Sequence, residues 1–400
     1  MKDKKYIILR RNNQILSLLF HGNRLLHVNA EDEKGSCIGS IYIGKVKNVS
    51  VNINAAFVEI EPGFPCFLAL DEIRTPILTN RSYDGRILAG DDIVVQISKD
   101  AVKTKQPVAT ATLSLSGKYC AVSLGKPGIA YSSKLSMKVK TRIGNALKEE
   151  LSLIPKGIGI VIRTNAKDLE DYTPLIEEWK QLISHIEELA EVSMHRTCYS
   201  VLYKKPSDYL MRLRDTYTGQ YEEIVTDEED IFEEVKEYSR MHPDFCLPEV
   251  RLYHDEMLSL CKLYSIETRL KEALDKKVWL KSGGYLVIEP TEALTVIDVN
   301  TGKVSGKKEN EETFFRINME ASEEIALQLI LRNISGIIVV DFINMRTSEH
   351  NHQLMSHFGN LLKQDPVKTK LVDMTVLGLV EITRMKISKP LKEQLEEQLR

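Results

Sequence analysis

The sequence predicts an α+β protein of several domains, and three observations carry that reading. At 400 residues the chain is too long for one ordinary core and suits two to four domains of roughly 100–200 residues each. Short apolar runs broken by turns across residues 36–118 predict a small, OB-like all-β barrel. Near the end, a strand–helix–strand order predicts an α/β segment with two parallel strands.

Composition sets the outer limits. With 43% hydrophobic and 28% charged residues, the chain is neither disordered nor collagen-like. Apolar runs such as Ile337–Val340 fall far short of the roughly 18 residues of a membrane helix. Arg10 and Arg11 interrupt any apolar signal region after the basic start, so export is not expected. Six cysteines, at 37, 66, 120, 198, 246 and 261, show no CxxC spacing and no disulfide framework. A reducing cytoplasm is the expected setting.

The elements follow in order. Residues 1–35 alternate apolar and polar side chains and read as strands. The barrel segment holds Ser40–Val46, Ala55–Ile60, Phe67–Leu70 and Asp92–Ile97. Residues 119–208 mix a strand, Gly159–Arg163, with an amphipathic helix near Tyr172–Val192. Residues 209–275 read as mostly helical and acidic, and 276–400 as strand, helix, strand and a charged helix from Leu391 to Arg400.

Net charge is only −3, but it is segregated. From Ala101 to Lys148 there are nine Lys or Arg and no acid, whereas Gln220–Lys236 carries eight acids. A basic stretch in a mildly acidic protein suggests a local phosphate-binding surface, with a plain solvated face as the alternative.

Alternation in the barrel separates Val58 and Ile60 from Phe57 and Glu59, and likewise Phe67 from Cys66 and Leu68. Phe57 and Phe67 would then face outward as a stacking platform for unpaired bases, rather than serving as core. In the last segment, Asp298 and Asn300 share a strand face at spacing i, i+2, and Asp341 ends the second apolar strand. Both aspartates lie toward the carboxyl ends of parallel strands, where open α/β sheets bind ligands. Set among Val, Ile and Phe, they are costly to bury uncompensated, and a hard cation such as Mg²⁺ or Mn²⁺ would relieve them. The alternative is that one of them caps a helix or pairs with an arginine.

At these residues the sequence resembles the catalytic core of the ribonuclease E/G family. The likeness rests on Thr291–Lys303, Glu311–Thr313, Asn318–Ala321 and Ile337–Met345, and extends through Ala55–Val58, Ile162–Thr164 and Gly378–Arg384. The resemblance is to the compact members of the family. It implies an RNase-H-like subdomain split between 1–35 and 209–275, with an OB-fold RNA-binding domain at 36–118 and a 5′-sensor at 119–208 inserted. A DNase-I-like catalytic subdomain would occupy 276–400.

By the same resemblance, Asp298 and Asp341 match the metal-binding aspartates and Asn300 the asparagine that positions scissile phosphate or water. Phe57 and Phe67 match RNA-stacking aromatics, Lys105 a backbone contact, and Arg163 with Thr164 the pair that holds a 5′-monophosphate. A strand-end guanidinium and hydroxyl suit phosphate oxygens in any case, with a solvated strand-end arginine as the alternative.

The implied activity is a Mg²⁺-dependent endoribonuclease acting on single-stranded RNA in RNA processing and decay, leaving 5′-phosphate and 3′-hydroxyl ends. The alternatives are an RNA-binding protein of the same fold that cleaves poorly, and a metal-dependent DNase. Two departures stand out. No cysteine follows Cys261, so the family's shared Zn²⁺ link is not supported and any homodimer is expected without it. Val376 stands before Leu377-Gly378, where the family often carries a basic residue.

Overall fold

The computed structural model describes residues 4–33, 37–71, 73–99, 106–215, 221–242, 247–302 and 311–396. Two compact units emerge: Met1–Glu33 with Gly219–Tyr238 and Pro248–Arg400, and Lys34–Thr218 with Ser239–Leu247. The chain opens on an antiparallel meander, β1 (Lys4–Arg11), β2 (Gln14–His21) and β3 (Arg24–Asp32). Asn12 and Asn13 turn the first hairpin at φ 50° and 59°, a left-handed two-residue turn that matches strand twist.

The second unit begins with the barrel: β4 (Ile41–Ser50), β5 (Ala55–Glu61), β6 (Phe64–Ala69), β7 (Asp92–Lys99) and β8 (Val108–Thr110). Pairing runs β4-β5-β6-β8-β7 and returns from β7 to β4, which closes the sheet and removes its edges. Val46, Val58, Ile60, Cys66, Leu68, Ile93, Val95 and Ile97 fill it.

Next come β9 (Leu113–Ser116), β10 (Cys120–Leu124), β11 (Gly128–Tyr131), α1 (Met137–Ala146), α2 (Lys148–Ser152) and β12 (Ile158–Ile162). Helix α3 (Thr173–Ser193) covers the sheet β11-β12-β10-β9. Its Leu175, Trp179, Ile183, Ile186 and Leu189 recur at helical spacing and face the core. Glu178 of α3 accepts the backbone N–H groups of Lys118, Tyr119 and Cys120 at 2.5, 2.8 and 2.8 Å. A Cβ on Gly117 would sit 2.2 Å from that carboxyl group, so a larger residue there would push Glu178 off these three amides. β13 (Val201–Tyr203) adds to β4 from outside the ring, and α4 (Asp208–Asp215) follows.

Back in the first unit, β14 (Glu223–Thr226), α5 (Glu229–Met241), β15 (Val250–Leu252), α6 (Leu260–Leu263) and α7 (Ile266–Leu274) follow. β14 pairs parallel to β1 and β15 parallel to β14, giving the order β15-β14-β1-β2-β3. The helical expectation for 209–275 therefore misses two strands, because each is only three or four residues long and shows no full alternation. Within the acidic run, Glu228 and Asp230 pair with Arg10, and Glu223 with Lys5 and Arg251. In the basic stretch Lys118 is buried and so belongs to no surface, while Lys103 and Lys105 lie outside the described residues.

The last sheet contains β16 (Lys277–Trp279), β17 (Tyr285–Pro290), β18 (Leu294–Asn300), β19 (Gly336–Asp341), β20 (Thr369–Met374) and β21 (Leu379–Arg384), in the order β16-β17-β18-β19-β21-β20. Helices α8 (Glu311–Leu331) and α9 (Ser348–Leu362) cover one face through Ile317, Ala321, Ile325, Leu354 and Phe358. The short α10 (Leu391–Glu396) docks Leu391 into the core of the first sheet. The other face of the last sheet carries the exposed residues of β18 and β19. Among the described residues no helix is long and apolar enough to cross a membrane.

Candidate functional site

β18 and β19 run parallel with Asp298 directly opposite Asp341. Neighbouring strands are about 4.8 Å apart, so the two carboxylates are adjacent charges of like sign. Strict alternation along β18 buries Thr295, Ile297 and Val299 and leaves Val296 and Asp298 exposed. Both aspartates are therefore exposed, which corrects the expectation of aspartates buried among apolar neighbours. Their juxtaposition comes from register, not burial.

Asn300 donates its amide to Oδ2 of Asp298 at 2.7 Å, fixing one oxygen and leaving the other for a ligand. Two hard carboxylates with open positions fit Mg²⁺, which keeps most of its shell for water and phosphate. Among the described residues no group of three or more His, Cys, Asp or Glu side chains converges as a metal cluster. The donor set suits a shared cation rather than a closed structural one.

The surrounding motif residues hold this end of the sheet in shape. Buried Asn318 on α8 donates to the carbonyl of Ile343 at 2.8 Å and accepts its N–H at 3.0 Å, clamping the backbone two residues past Asp341. Glu311 accepts the N–H groups of Arg346 and Thr347 at 2.8 and 2.9 Å, and these bonds lower its pKa. Glu320 accepts the N–H of Lys281 at 2.6 Å and so braces the β16–β17 turn. Val376 and Leu377 form the fully exposed tip of the β20–β21 hairpin.

In the other unit, Phe57 and Phe67 are register partners on the barrel's outer face, half-buried, with ring centroids 6.2 Å apart and edge to face. Their neighbours Val58, Cys66 and Leu68 point inward, as alternation requires. Lys105 lies outside the described residues.

Arg163 follows β12 immediately, and its guanidinium is already engaged. Nη1 and Nη2 donate to the two carboxylate oxygens of Asp215 at 3.0 and 2.8 Å, and Nη1 also donates to the carbonyl of Gly117. Among the described residues the Nε edge of the fork keeps its donors unpaired, and a guanidinium has five in all. Burial works against the charge of Arg163, but Asp215 outweighs it and the pKa stands above its ordinary value. For Asp215 burial pushes up, and the hydrogen bond from Arg163 with the nearby Arg214 pulls the carboxyl below its usual range. Thr164 sits beside it, its hydroxyl 3.0 Å from that of Ser132.

Asp215, Gly117 and Ser132 carried no signal in the sequence. Asp215 lies 52 residues from Arg163, at the end of a short helix, and only the fold joins them. Tyr285 pairs with Asn300, and Trp279 pairs with Tyr285 one strand further out; neither ring carried a functional signal in the sequence.

A closed barrel with outward aromatics, and paired aspartates at parallel strand ends, define a class: a multidomain α+β protein with a closed β-barrel in one unit and a mixed sheet bearing an acidic pair in the other. Comparison narrows the class, since a model described as the ribonuclease E/G family matches residues 114–387. The chain belongs to that family. It is 33% identical over 363 residues to ribonuclease E of Synechocystis, covering 89% of this chain and 53% of that protein. It is 32% identical to ribonuclease G of Haemophilus influenzae, covering 93% and 77%. With ribonuclease G of Escherichia coli K12 the figures are 29%, 92% and 77%. The chain thus spans about half the length of the Synechocystis relative and about three quarters of the two ribonuclease G proteins.

Proposed function

We propose that this protein is a Mg²⁺-dependent endoribonuclease that hydrolyses single-stranded RNA in the cytoplasm and favours 5′-monophosphorylated substrates. The observation that carries the reading is the register pairing of Asp298 with Asp341, with Asn300 holding one Asp298 oxygen. Names of the relatives, ribonuclease E and ribonuclease G, support the substrate class.

In this reading the free carboxylate oxygens of Asp298 and Asp341 would hold the cation. When bound, Mg²⁺ (or Mn²⁺) stabilises charge developing on the phosphate and activates water. The Asn300 amide keeps Asp298 oriented and offers its carbonyl oxygen to the attacking water. Attack at phosphorus breaks the bond to the 3′ oxygen, leaving a 3′-hydroxyl and a 5′-phosphate. Phe57 and Phe67 stack unpaired bases, Lys105 meets the backbone, and the Nε edge of Arg163 with the Thr164 hydroxyl grips the terminal phosphate.

The subdomain scheme belongs to the same proposal: RNase-H-like at 1–35 and 209–275, OB-fold at 36–118, 5′-sensor at 119–208 and DNase-I-like at 276–400. Any homodimer would form without a zinc link supplied by the residues present.

The test is purified protein with Mg²⁺ and a 5′-monophosphorylated, unstructured oligonucleotide, beside the 5′-hydroxyl and triphosphate forms and the matching DNA. Cleavage of RNA, fastest on the monophosphate, is the expected result. DNA cut in preference to RNA would overturn the substrate. The second reading, an RNA-binding protein that cleaves weakly, draws on exposed Val376 where the family often carries a cation. Tight binding without Mg²⁺-dependent cleavage would favour it.

A further inference from the structure

The open face of the last sheet holds more than the acidic pair. Register places Lys277, Val287, Asp298 and Asp341 in one cross-strand row, and Trp279, Tyr285 and Asn300 in the next. Trp279 is thus two strands from Asn300, roughly 10 Å by backbone spacing. The Lys277 ammonium lies 4.0 Å from the Trp279 ring centre and 3.6 Å from that of Tyr285, and the two ring centres are 5.3 Å apart. Trp279 is nevertheless 64% exposed.

An indole left this open on a sheet surface is unusual, because burying it would gain more than almost any other side chain. Here it cannot sink into the core, since Val278 and Leu280 take the inward positions of that strand. Two rings fix the lysine by cation–π attraction, so the ammonium is held in place without any carboxylate partner in the described structure. The result is an oriented cation in the aspartates' own row and an aromatic surface in the next, on the same face of the sheet.

We propose that Trp279 and Lys277, braced by Tyr285, form a nucleotide subsite for the RNA residue flanking the scissile bond. A base stacks on the outer face of the Trp279 indole while the Lys277 ammonium meets its phosphate. This rests on the reading of Asp298 and Asp341 as the cleavage site, and adds a subsite on the same unit, separate from the barrel aromatics.

The chain offers its own reporter. It has two tryptophans, and Trp179 is 2% exposed in the core of the other unit, so RNA-dependent emission reports Trp279. The probe is an unstructured ten-nucleotide RNA titrated into the full chain in chelator, which prevents cutting. Stacking should quench the emission, and an abasic residue walked along the oligonucleotide should abolish the quench at one position. That position should flank the bond cut when Mg²⁺ is restored. Trp279→Ala should weaken binding roughly 5- to 150-fold, the span for one lost base–aromatic stack. Trp279→Phe should keep most of the affinity and lose the signal, which separates stacking from misfolding. Lys277→Gln should reduce the slope of log K against log salt by about 0.7, one phosphate's share for a single strand.

Unchanged emission on RNA binding, or a quench indifferent to every abasic position, would overturn the subsite. Emission that follows protein concentration instead of RNA would put a second copy of the chain on this face, and also overturn it. A quench at one position with no cleavage in Mg²⁺ would leave the subsite standing and sink the catalytic reading. Cleavage with no quench would do the reverse.

Discussion

Two polar sites at strand ends, one in each unit, handle charge in opposite ways. Asp298 and Asp341 are like charges set side by side on an exposed sheet face, with an amide hydrogen bond steadying one of them. Arg163 and Asp215 are unlike charges locked together, each side chain about one-third exposed (31% and 35%), with Arg214 and Gly117 completing the set. Among the described residues the first arrangement has no paired counter-charge, and it suits a cation from solution. The second has already balanced its charge and offers only the remaining edge of a fork. A cation site can therefore be mutated at little cost to the fold, whereas the anion site is also part of the core's electrostatics.

The sharpest way to break this contrast is at the aspartates. Asp298→Asn or Asp341→Asn should slow Mg²⁺-dependent cleavage by about a thousandfold, about 4 kcal/mol, under single-turnover conditions. The thermal midpoint should hold or rise slightly, because a like-charge repulsion is relieved. Near-normal cleavage at limiting Mg²⁺ would remove the metal assignment.

Arg163→Ala comes next. Loss of charge-assisted bonds to a terminal phosphate should erase about 2–3 kcal/mol of preference for 5′-monophosphorylated RNA. The slow, end-independent cut should persist, as compared in parallel assays on the three RNA ends. A variant inactive on every RNA would assign Arg163 a structural role.

Asp215→Asn tests whether the second site is part of the fold. It should cost about 2 kcal/mol in denaturant unfolding at neutral pH, less than a fully buried pair because solvent screens both side chains. Since the folded-state pKa of Asp215 is lowered, its contribution is present above the ordinary carboxylate pKa and lost as pH falls through the folded value. The gap between wild type and variant should therefore close below about pH 4. A gap that persists in acid would assign the effect to packing.

The smallest effect is expected at the barrel. Phe57→Ala should weaken binding of single-stranded RNA by about 1 kcal/mol, the low end of the stacking range, because Phe67 remains. Folding should be nearly unaffected, since Phe57 is turned away from Val58 and Ile60. A large fall in melting temperature would mean that the ring is core.

How much of this was legible in the sequence depends on the distance over which each feature is set. Alternation is a property of a few adjacent residues, so the outward face of Phe57 and Phe67, the shared face of Asp298 and Asn300, and the span of α3 could all be read directly. The sense of the β18–β19 pair also followed, because a helix between two strands returns them parallel.

Other features needed the tertiary structure. Register along β18 and β19 decided that Asp298 meets Asp341, and burial on the α8–α9 side decided that both face outward. The same is true of Asp215 with Arg163, the short strands β14 and β15, and the ion pairs that take up the acidic run. In these cases the partner lies tens or hundreds of residues away. Periodicity tells which face of a strand a side chain occupies, but packing and strand order alone choose what stands opposite it.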